Sequence, residues 1–435
     1  MTFPTARAAK GRPASIPTSP YVATRPGGIR RTTAQTTSGQ ASRVSARIMR
    51  ILPRAVLTSR DVRTSLWLVA ILRIALGLAG LLTMLLDPRP LLREIAAWAT
   101  LEVLDGRPWT LLFSIWQRWD ALWYQEIATN GYHAGNNTAA FFPLFPLLSR
   151  IASVPFLGNV VLGELAVTTL ACVAAFVLLY RLALVEIGRR AAIVTLLLVA
   201  LSPVGFFLLA PYTEALFLAT TVASFWFARK GHPWLAGIAG AAAGLTRLQG
   251  GLLLLPLGYV AWRDLRSGTL APRNAPAWVL PAVGVFLALA YPRLVVGETG
   301  SPFDLQQAWG AHVAPPWQTI GDGLGHIAQT GDPIEVMNLV AVVGLTVLAG
   351  YGLRRLPPEY GLYALASLGL LWVRDTENLS PLMSAARYSL VIFPCFMIGA
   401  QLLRRRRGLA AGLLAISLVI QIALFVYWVR WGFVG

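Results

Sequence analysis

Ala410–Val429 reads AAGLLAISLVIQIALFVYWV, twenty residues without a charged side chain. A strand seldom passes about ten residues, whereas a helix of about 20 covers the roughly 30 Å hydrocarbon core of a bilayer. Pro276–Ala290, PAWVLPAVGVFLALA, is another run too long for a strand. Across its 435 residues the chain is 56% hydrophobic and only 13% charged, where a soluble domain carries about 25%. These features predict an all-α polytopic membrane protein.

Outward from that run, apolar segments recur at Leu66–Leu86, Asn159–Leu182, Ala191–Ala210, Thr213–Ala228, Trp234–Trp262, Ala277–Val296, Val336–Leu353, Tyr360–Val373, Ala386–Leu403 and Leu409–Val429. Basic clusters mark the cytosolic side of a membrane protein. Here they are Arg189-Arg190, Arg229-Lys230, Arg263 to Arg273, Arg354-Arg355 and Arg404 to Arg407. All of them face the cytosol together only if Trp234–Trp262 crosses twice and turns near Arg247. That gives about eleven spans, with the N-terminus inside and the C-terminus outside. Two large external loops follow, 87–158 and 297–335, the first of them amphipathic. Both cysteines, Cys172 and Cys395, sit in apolar runs and offer neither a disulfide framework nor zinc spacing.

The net charge is +18, and between Arg7 and Arg63 Asp61 is the only acid. Residues 1–63 are rich in Pro, Ser, Thr and Arg, lack an apolar signal core, and read as a disordered basic cytosolic tail touching anionic lipid. Without interleaved aromatics or a folded reader they do not read as a nucleic-acid binder. The chain has no GxGxxG or P-loop to hold a nucleotide, and no HExxH or GxSxG.

The unusual polar residues fall on the predicted external side. Trp116–His133 reads WQRWDALWYQEIATNGYH, and Ala140–Pro146 reads AFFPLFP. In a short helix Trp116, Asp120, Trp123 and Tyr124 share a face. An aromatic wall raises a carboxylate's pKa and excludes water, so Asp120 suits a general base. The plain alternative is an interfacial helix whose Asp pairs with Arg118. Trp119, Trp123 and Tyr124 suit a sugar ring or the headgroup zone. Glu126 does not share Asp120's face and would pair with an Arg or support a metal. His133 would meet a phosphate or hydroxyl, or lie on the surface. Glu214 follows Pro211 at a helix start, where a cap is the simple reading. Arg247 lies between Gly-rich apolar pieces and needs an anion, either a phosphate or Glu214 itself. Arg387-Tyr388 places an Arg away from the cytosolic clusters, where a lipid phosphate would suit it. The loop with Asp304, Gln306, Gln307, Trp309, His312 and Trp317 fits carbohydrate as well as it fits any exposed loop.

Six blocks in this order carry a resemblance: Trp119-Asp-Ala-Leu-Trp-Tyr124, Ile127-Ala-Thr-Asn-Gly-Tyr132, Ala140–Pro146, Pro211-Tyr-Thr-Glu-Ala-Leu-Phe217, Gly244-Leu-Thr-Arg247, and Arg387-Tyr388 with Phe393-Pro394. Together they resemble the PIG-V type GPI mannosyltransferase II family and its bacterial relatives, among the GT-C glycosyltransferases. The resemblance spans roughly residues 66–430. It implies a GT-C fold over 64–435 with an outward-facing site in the first external loop. It also implies transfer of mannose, with inversion, from a polyprenyl-phosphate donor, and it makes Asp120 the base. The Arg- and Ala-rich composition suggests a GC-rich bacterial genome, so the eukaryotic GPI acceptor does not carry over; the acceptor class is a glycolipid, a glycan or a protein.

The expectation is an extracytoplasmic glycosyltransferase of the bacterial plasma membrane. The rivals are a lipid or sugar transporter and a non-catalytic subunit of a glycosylation complex. Asp120 and Glu126 leave room for a divalent metal, but a leaving group with a single phosphate gives no reason to assign one.

Overall fold

The computed structural model describes residues 60–87, 89–91, 110–134, 137–297, 310–376 and 380–434. The expected tail lies outside the described residues as far as residue 59, and Arg60–Arg63 already belong to the first helix, α1 (Arg60–Leu86). The parts of the two expected external loops at 92–109 and 298–309 also lie outside them.

After one turn at Leu111–Ser114, α2 (Asp120–Asn130) and α3 (Leu144–Ser153) are short. Next comes α4 (Val160–Ile187), whose first turn is capped by Asn159: its side chain accepts from Leu162 N at 3.0 Å. The following helices are α5 (Arg189–Ala200), α6 (Glu214–Arg229), α7 (Pro233–Thr246), α8 (Leu254–Arg266) and α9 (Leu280–Val296), the last entered through a 3₁₀ stretch at Pro272–Val279. Then come α10 (Pro316–Thr330), α11 (Pro333–Gly352), α12 (Pro358–Trp372), α13 (Phe393–Leu403) and α14 (Arg407–Val429). The strands β1 (Ala311–Val313) and β2 (Arg374–Thr376) form an antiparallel ribbon that sets His312 opposite Asp375.

Among the described residues five helical stretches are long and apolar enough to cross a membrane: Asp61–Leu86, Val160–Ile187, Pro272–Val296, Pro333–Gly352 and Arg407–Val429. The chain is therefore a mostly helical, multi-pass membrane protein. Several expected spans are shorter than read. The run Ala191–Ala210 stays helical only to Ala200, because Ser202-Pro203 disfavours continuation and Gly205–Leu208 tightens to 3₁₀. Ala386–Leu403 is interrupted before Phe393. Trp234–Trp262 breaks at Arg247, whose backbone is extended (φ −156°, ψ 150°).

That break is a reversal. Helices α7 and α9 run in parallel: Gly237 faces Ala277, Gly240 faces Pro281, and Gly244 faces Pro281 and Gly284. A Cβ on Gly244 or Gly284 would collide with the facing backbone, so the two helices meet at their backbones, as small residues allow in lipid. Gly250 folds back onto Ala243 and Gly244, and α8 returns towards the start of α7.

The bundle has two chemically different ends. At one, Arg181 meets Asp61 at 2.6 Å, Arg229 meets Glu186 at 2.7 Å, and Arg263 meets Glu359 at 3.3 Å. At the other stand Asp120, Glu214, Arg247 and Arg387. Helix α6 carries Glu214 at its first residue and Arg229 at its last, so the ends lie roughly 22 Å apart at 1.5 Å per residue. Between them Phe225, Tyr360, Tyr363 and Phe393 pack with ring centroids 5.1 to 6.1 Å apart.

Candidate active site

Asp120 is the first residue of α2, where the helix dipole favours a carboxylate. Trp119, just before it, holds φ 53° and ψ −119°, unusual for a residue with a bulky side chain. Several contacts hold this strained junction in place. The Trp119 indole donates to Gly432 O at 3.2 Å and packs on Trp431 and Phe433. Arg118 donates to Val429 O at 2.7 Å, and Tyr212 OH donates to Arg118 O at 3.0 Å. The C-terminal end of α14 thus clamps the segment that presents Asp120.

Arg387 reaches Asp120 from the far end of the sequence: its Nη1 donates to Asp120 Oδ2 at 2.9 Å. Its Nε lies 3.3 Å from Glu214 Oε1, and Arg247 Nη1 lies 2.8 Å from the same oxygen. The result is a chain of ion pairs, Asp120–Arg387–Glu214–Arg247. Side-chain exposure separates the two acids, at 32% for Asp120 and 1% for Glu214. Glu214 is a sealed counter-ion shared by two guanidiniums, and Asp120 is the carboxylate open to a ligand.

The Arg387 segment is delivered by α11. Glu335 accepts from Leu382 N at 2.9 Å and from the Ser380 hydroxyl, and Asn338 Oδ1 accepts from Ala386 N at 3.0 Å. Tyr388, on the short helix Ala385–Ser389 outside the long apolar helices, sits among three guanidiniums: Arg247, Arg387 and Arg374 lie 4.7, 5.0 and 5.2 Å from its ring. Burial pushes the Tyr388 phenol up, but these cations outweigh it and hold it at about 8.

Asp120, Glu214, Arg247, Arg374, Arg387 and Tyr388 line one cavity of about 590 Å³. Part of the lining is polar, with Asp120, Glu214, Arg247, Arg374, Arg387 and Tyr388, and part is apolar, with Leu248, Leu289, Leu370, Leu371 and Val313. Tyr124, Phe141, Phe142, Tyr212 and His312 are also in the lining.

Among the residues singled out from the sequence, the fold brings Asp120, Tyr124, Glu214, Arg247, His312, Arg387 and Tyr388 to this cavity. Four others stand elsewhere. Trp119 anchors the junction, and Trp123 stacks on Phe141 beneath the lining at 5.5 Å. Glu126, six residues beyond Asp120 and off its face, accepts from Asn130 at 3.0 Å, and His133 is exposed. Trp116 does not share a helix with Asp120, because α2 begins only at Asp120; its ring stacks on Phe425 in the core instead. Among the described residues no group of three His, Cys, Asp or Glu side chains is placed to hold a metal ion. The sequence reading did not single out Arg374 or Tyr212. Arg374 ends a long apolar helix just as Arg354 and Arg404 do, so nothing local in the sequence separates it from them.

The chain is thus a multi-pass helical membrane protein in which a carboxylate–guanidinium chain opens into a partly apolar cavity. The family model for mannosyltransferase (PIG-V) matches residues 91–309, half of the chain, and the chain belongs to that family. The matched stretch contains Asp120, Glu214 and Arg247, while Arg374, Arg387 and Tyr388 lie beyond it. The chain is 32% identical over 160 residues to GPI alpha-1,6-mannosyltransferase 2 of Mus musculus, covering 34% of this chain and 32% of the mouse protein. It is 34% identical over 162 residues to the same enzyme of Rattus norvegicus, again 34% of this chain and 32% of the relative. The similarity thus spans about a third of these relatives' length. Among solved structures, an oligosaccharyltransferase of Archaeoglobus fulgidus, in complex with zinc and sulfate, aligns with 81% of this chain and 53% of its own at 14% identity and a TM-score of 0.39. So loose an overlap leaves the site to be argued from its own geometry.

Proposed function

We propose that this protein is an integral membrane mannosyltransferase of GT-C type, drawing its sugar from a polyprenyl-phosphate mannose on the extracytoplasmic side of a bacterial plasma membrane. The observation that carries the reading is the contrast between the two site carboxylates: Asp120 opens into a large cavity while Glu214 is sealed between guanidiniums. An acceptor hydroxyl attacks the anomeric carbon of the sugar and gives its proton to Asp120. The bond from that carbon to the phosphate oxygen breaks, and the electron pair leaves with the lipid phosphate. A guanidinium-rich wall stabilises the developing negative charge, an electrostatic contribution that is often the largest in catalysis. Attack opposite the leaving group inverts the anomeric centre.

The separation of the Arg-rich end from the cavity end supports the orientation. About eleven crossings, several made by short helices, fit the alternation of the two ends. The acceptor is a glycolipid, a glycan or a protein of the cell envelope. A transporter would need a polar path to the opposite end, and Phe225, Tyr360, Tyr363 and Phe393 pack ring against ring towards that end. The test is transfer of labelled mannose from polyprenyl-phosphate mannose in membranes containing the wild-type or Asp120→Asn protein. Loss of product in the mutant alone supports the reading, and equal product in both removes Asp120 from the chemistry.

A further inference from the structure

Among the described residues Arg374 is the cation of the cavity that pairs with no acid. Arg387 is paired with Asp120 and Glu214, and Arg247 with Glu214. Arg374 opens β2, lines the same cavity, donates Nη1 to Met383 O at 2.8 Å and lies over Tyr388 at 5.2 Å. Among the described residues no carboxylate lies within 4.0 Å of its guanidinium. Among the described residues the lining therefore holds three guanidiniums against two carboxylates, Asp120 and Glu214. Arg374 is half-buried, and a cation held partly out of water without a counter-ion favours the arrival of an anion.

Its place in the cavity specifies what kind of anion. Leu370, Leu371 and Val373 precede Arg374 in the chain and line the cavity with it, as do Leu289 and Leu248. An amphiphile lying on that apolar lining brings its head to Arg374. From there the polar lining leads through Tyr388 and Arg387 to Asp120.

We infer that Arg374 is the principal phosphate-binding residue of the cavity, seating the phosphate of a polyprenyl-phosphate lipid whose chain lies along Leu248, Leu289, Leu370 and Leu371. This deepens the proposed function and rests on it for the identity of the lipid. Arg247 and Arg387 then serve chiefly to hold Glu214 and Asp120 in place. The guanidinium supplies the fork that suits phosphate oxygens.

The test measures binding, separately from turnover, with the full-length protein in detergent. The probes are a polyprenyl phosphate, the uncharged polyprenol of equal chain length, and inorganic phosphate as competitor. The variants are Arg374→Gln and Arg374→Lys, each accepted only if its thermal unfolding stays close to wild type. Arg374→Gln should weaken polyprenyl-phosphate binding roughly 10- to 100-fold, the value of a charge-assisted hydrogen bond. Arg374→Lys should fall between, and polyprenol binding should not change. Equal polyprenyl-phosphate binding by wild type and a folded Arg374→Gln protein would overturn the inference. So would inorganic phosphate binding as tightly as the lipid, since the site would then take a free anion. Arg374-dependent binding without any sugar transfer would uphold the site and sink the mannosyltransferase reading. Transfer with Arg374-independent binding would do the reverse.

Discussion

Arg387 and Asp120 meet at 2.9 Å although 267 residues separate them in the chain. The contact joins the first polar segment after α1 to the segment just before α13, and so closes the cavity wall across the whole fold. The same guanidinium also reaches Glu214, so one side chain sets the positions of both acids.

Glu214 and Asp120 should respond differently to neutralisation. Glu214→Gln leaves Arg247 and Arg387 buried without their shared counter-ion, and loss of one partner from a buried pair costs about 3–5 kcal/mol. Asp120→Asn keeps the Glu214 pairs and lies at a more open position, so it should cost distinctly less. Thermal unfolding in detergent ranks the two. A Glu214→Gln protein as stable as wild type would remove Glu214 as the structural counter-ion.

The clamp on Trp119 predicts that the C-terminus matters to a site far away in sequence. Trp119→Ala, or removal of residues 430–435, frees the segment held by Gly432, Trp431 and Phe433. Misplacing a catalytic group by about 1 Å can cost about a hundredfold in rate. The expected result is normal membrane insertion with turnover lowered on that scale. Unchanged turnover in the truncated protein would show that the clamp is dispensable.

Gly244 and Gly284 set the backbone contact of α7 and α9 that brings Arg247 to Glu214. Gly244→Leu has no room to be accommodated by a side-chain shift, because the facing atoms are backbone. Loss of folded protein after extraction is expected, whereas Gly251→Ala, beside the same turn and facing only the Val285 side chain at 3.4 Å, should be tolerated.

Tyr388 makes the site pH-sensitive. The guanidiniums hold its phenol at about 8, below the ordinary value of about 10. A depressed acid contributes stability that is complete above its unfolded value and lost as pH falls through its folded one. Wild type should therefore gain stability over Tyr388→Phe between about pH 8 and 10. Phenolate absorbance in the wild-type minus Tyr388→Phe difference should appear near pH 8. Above that pH the phenolate competes with an anionic ligand for the same cations, so polyprenyl-phosphate binding should weaken in wild type and not in Tyr388→Phe. A phenol titrating near the free value would contradict this.

Much of this arrangement was legible in the sequence because membrane burial makes ionisable residues rare and therefore conspicuous. Glu214, Arg247 and Arg387 stood out against apolar flanks, and the fold gathers them with Asp120 and Tyr388. The reversal at Arg247 followed from charge placement alone. Where the reading was poorer, the causes were three-dimensional. The aromatics around Asp120 looked like one face of a helix, but the positive φ at Trp119 starts that helix at Asp120 and sends Trp116 and Trp119 into packing. Arg374 was hidden because its meaning depends on which arginines Glu214 and Asp120 neutralise, a relationship set by pairs 33 to 267 positions apart. The lengths of α5 and α13 were overread because apolar composition does not register a 3₁₀ turn or a helix break within a buried run.

The central claim is that Asp120 takes the acceptor's proton during mannose transfer from a polyprenyl phosphate. The most direct measurement follows labelled mannose from polyprenyl-phosphate mannose into product, using membranes with matched amounts of wild-type and Asp120→Asn protein. The account predicts a labelled product in wild type that falls by about a hundredfold or more in the mutant, while the mutant still binds polyprenyl phosphate. Equal labelling by the two proteins would contradict it.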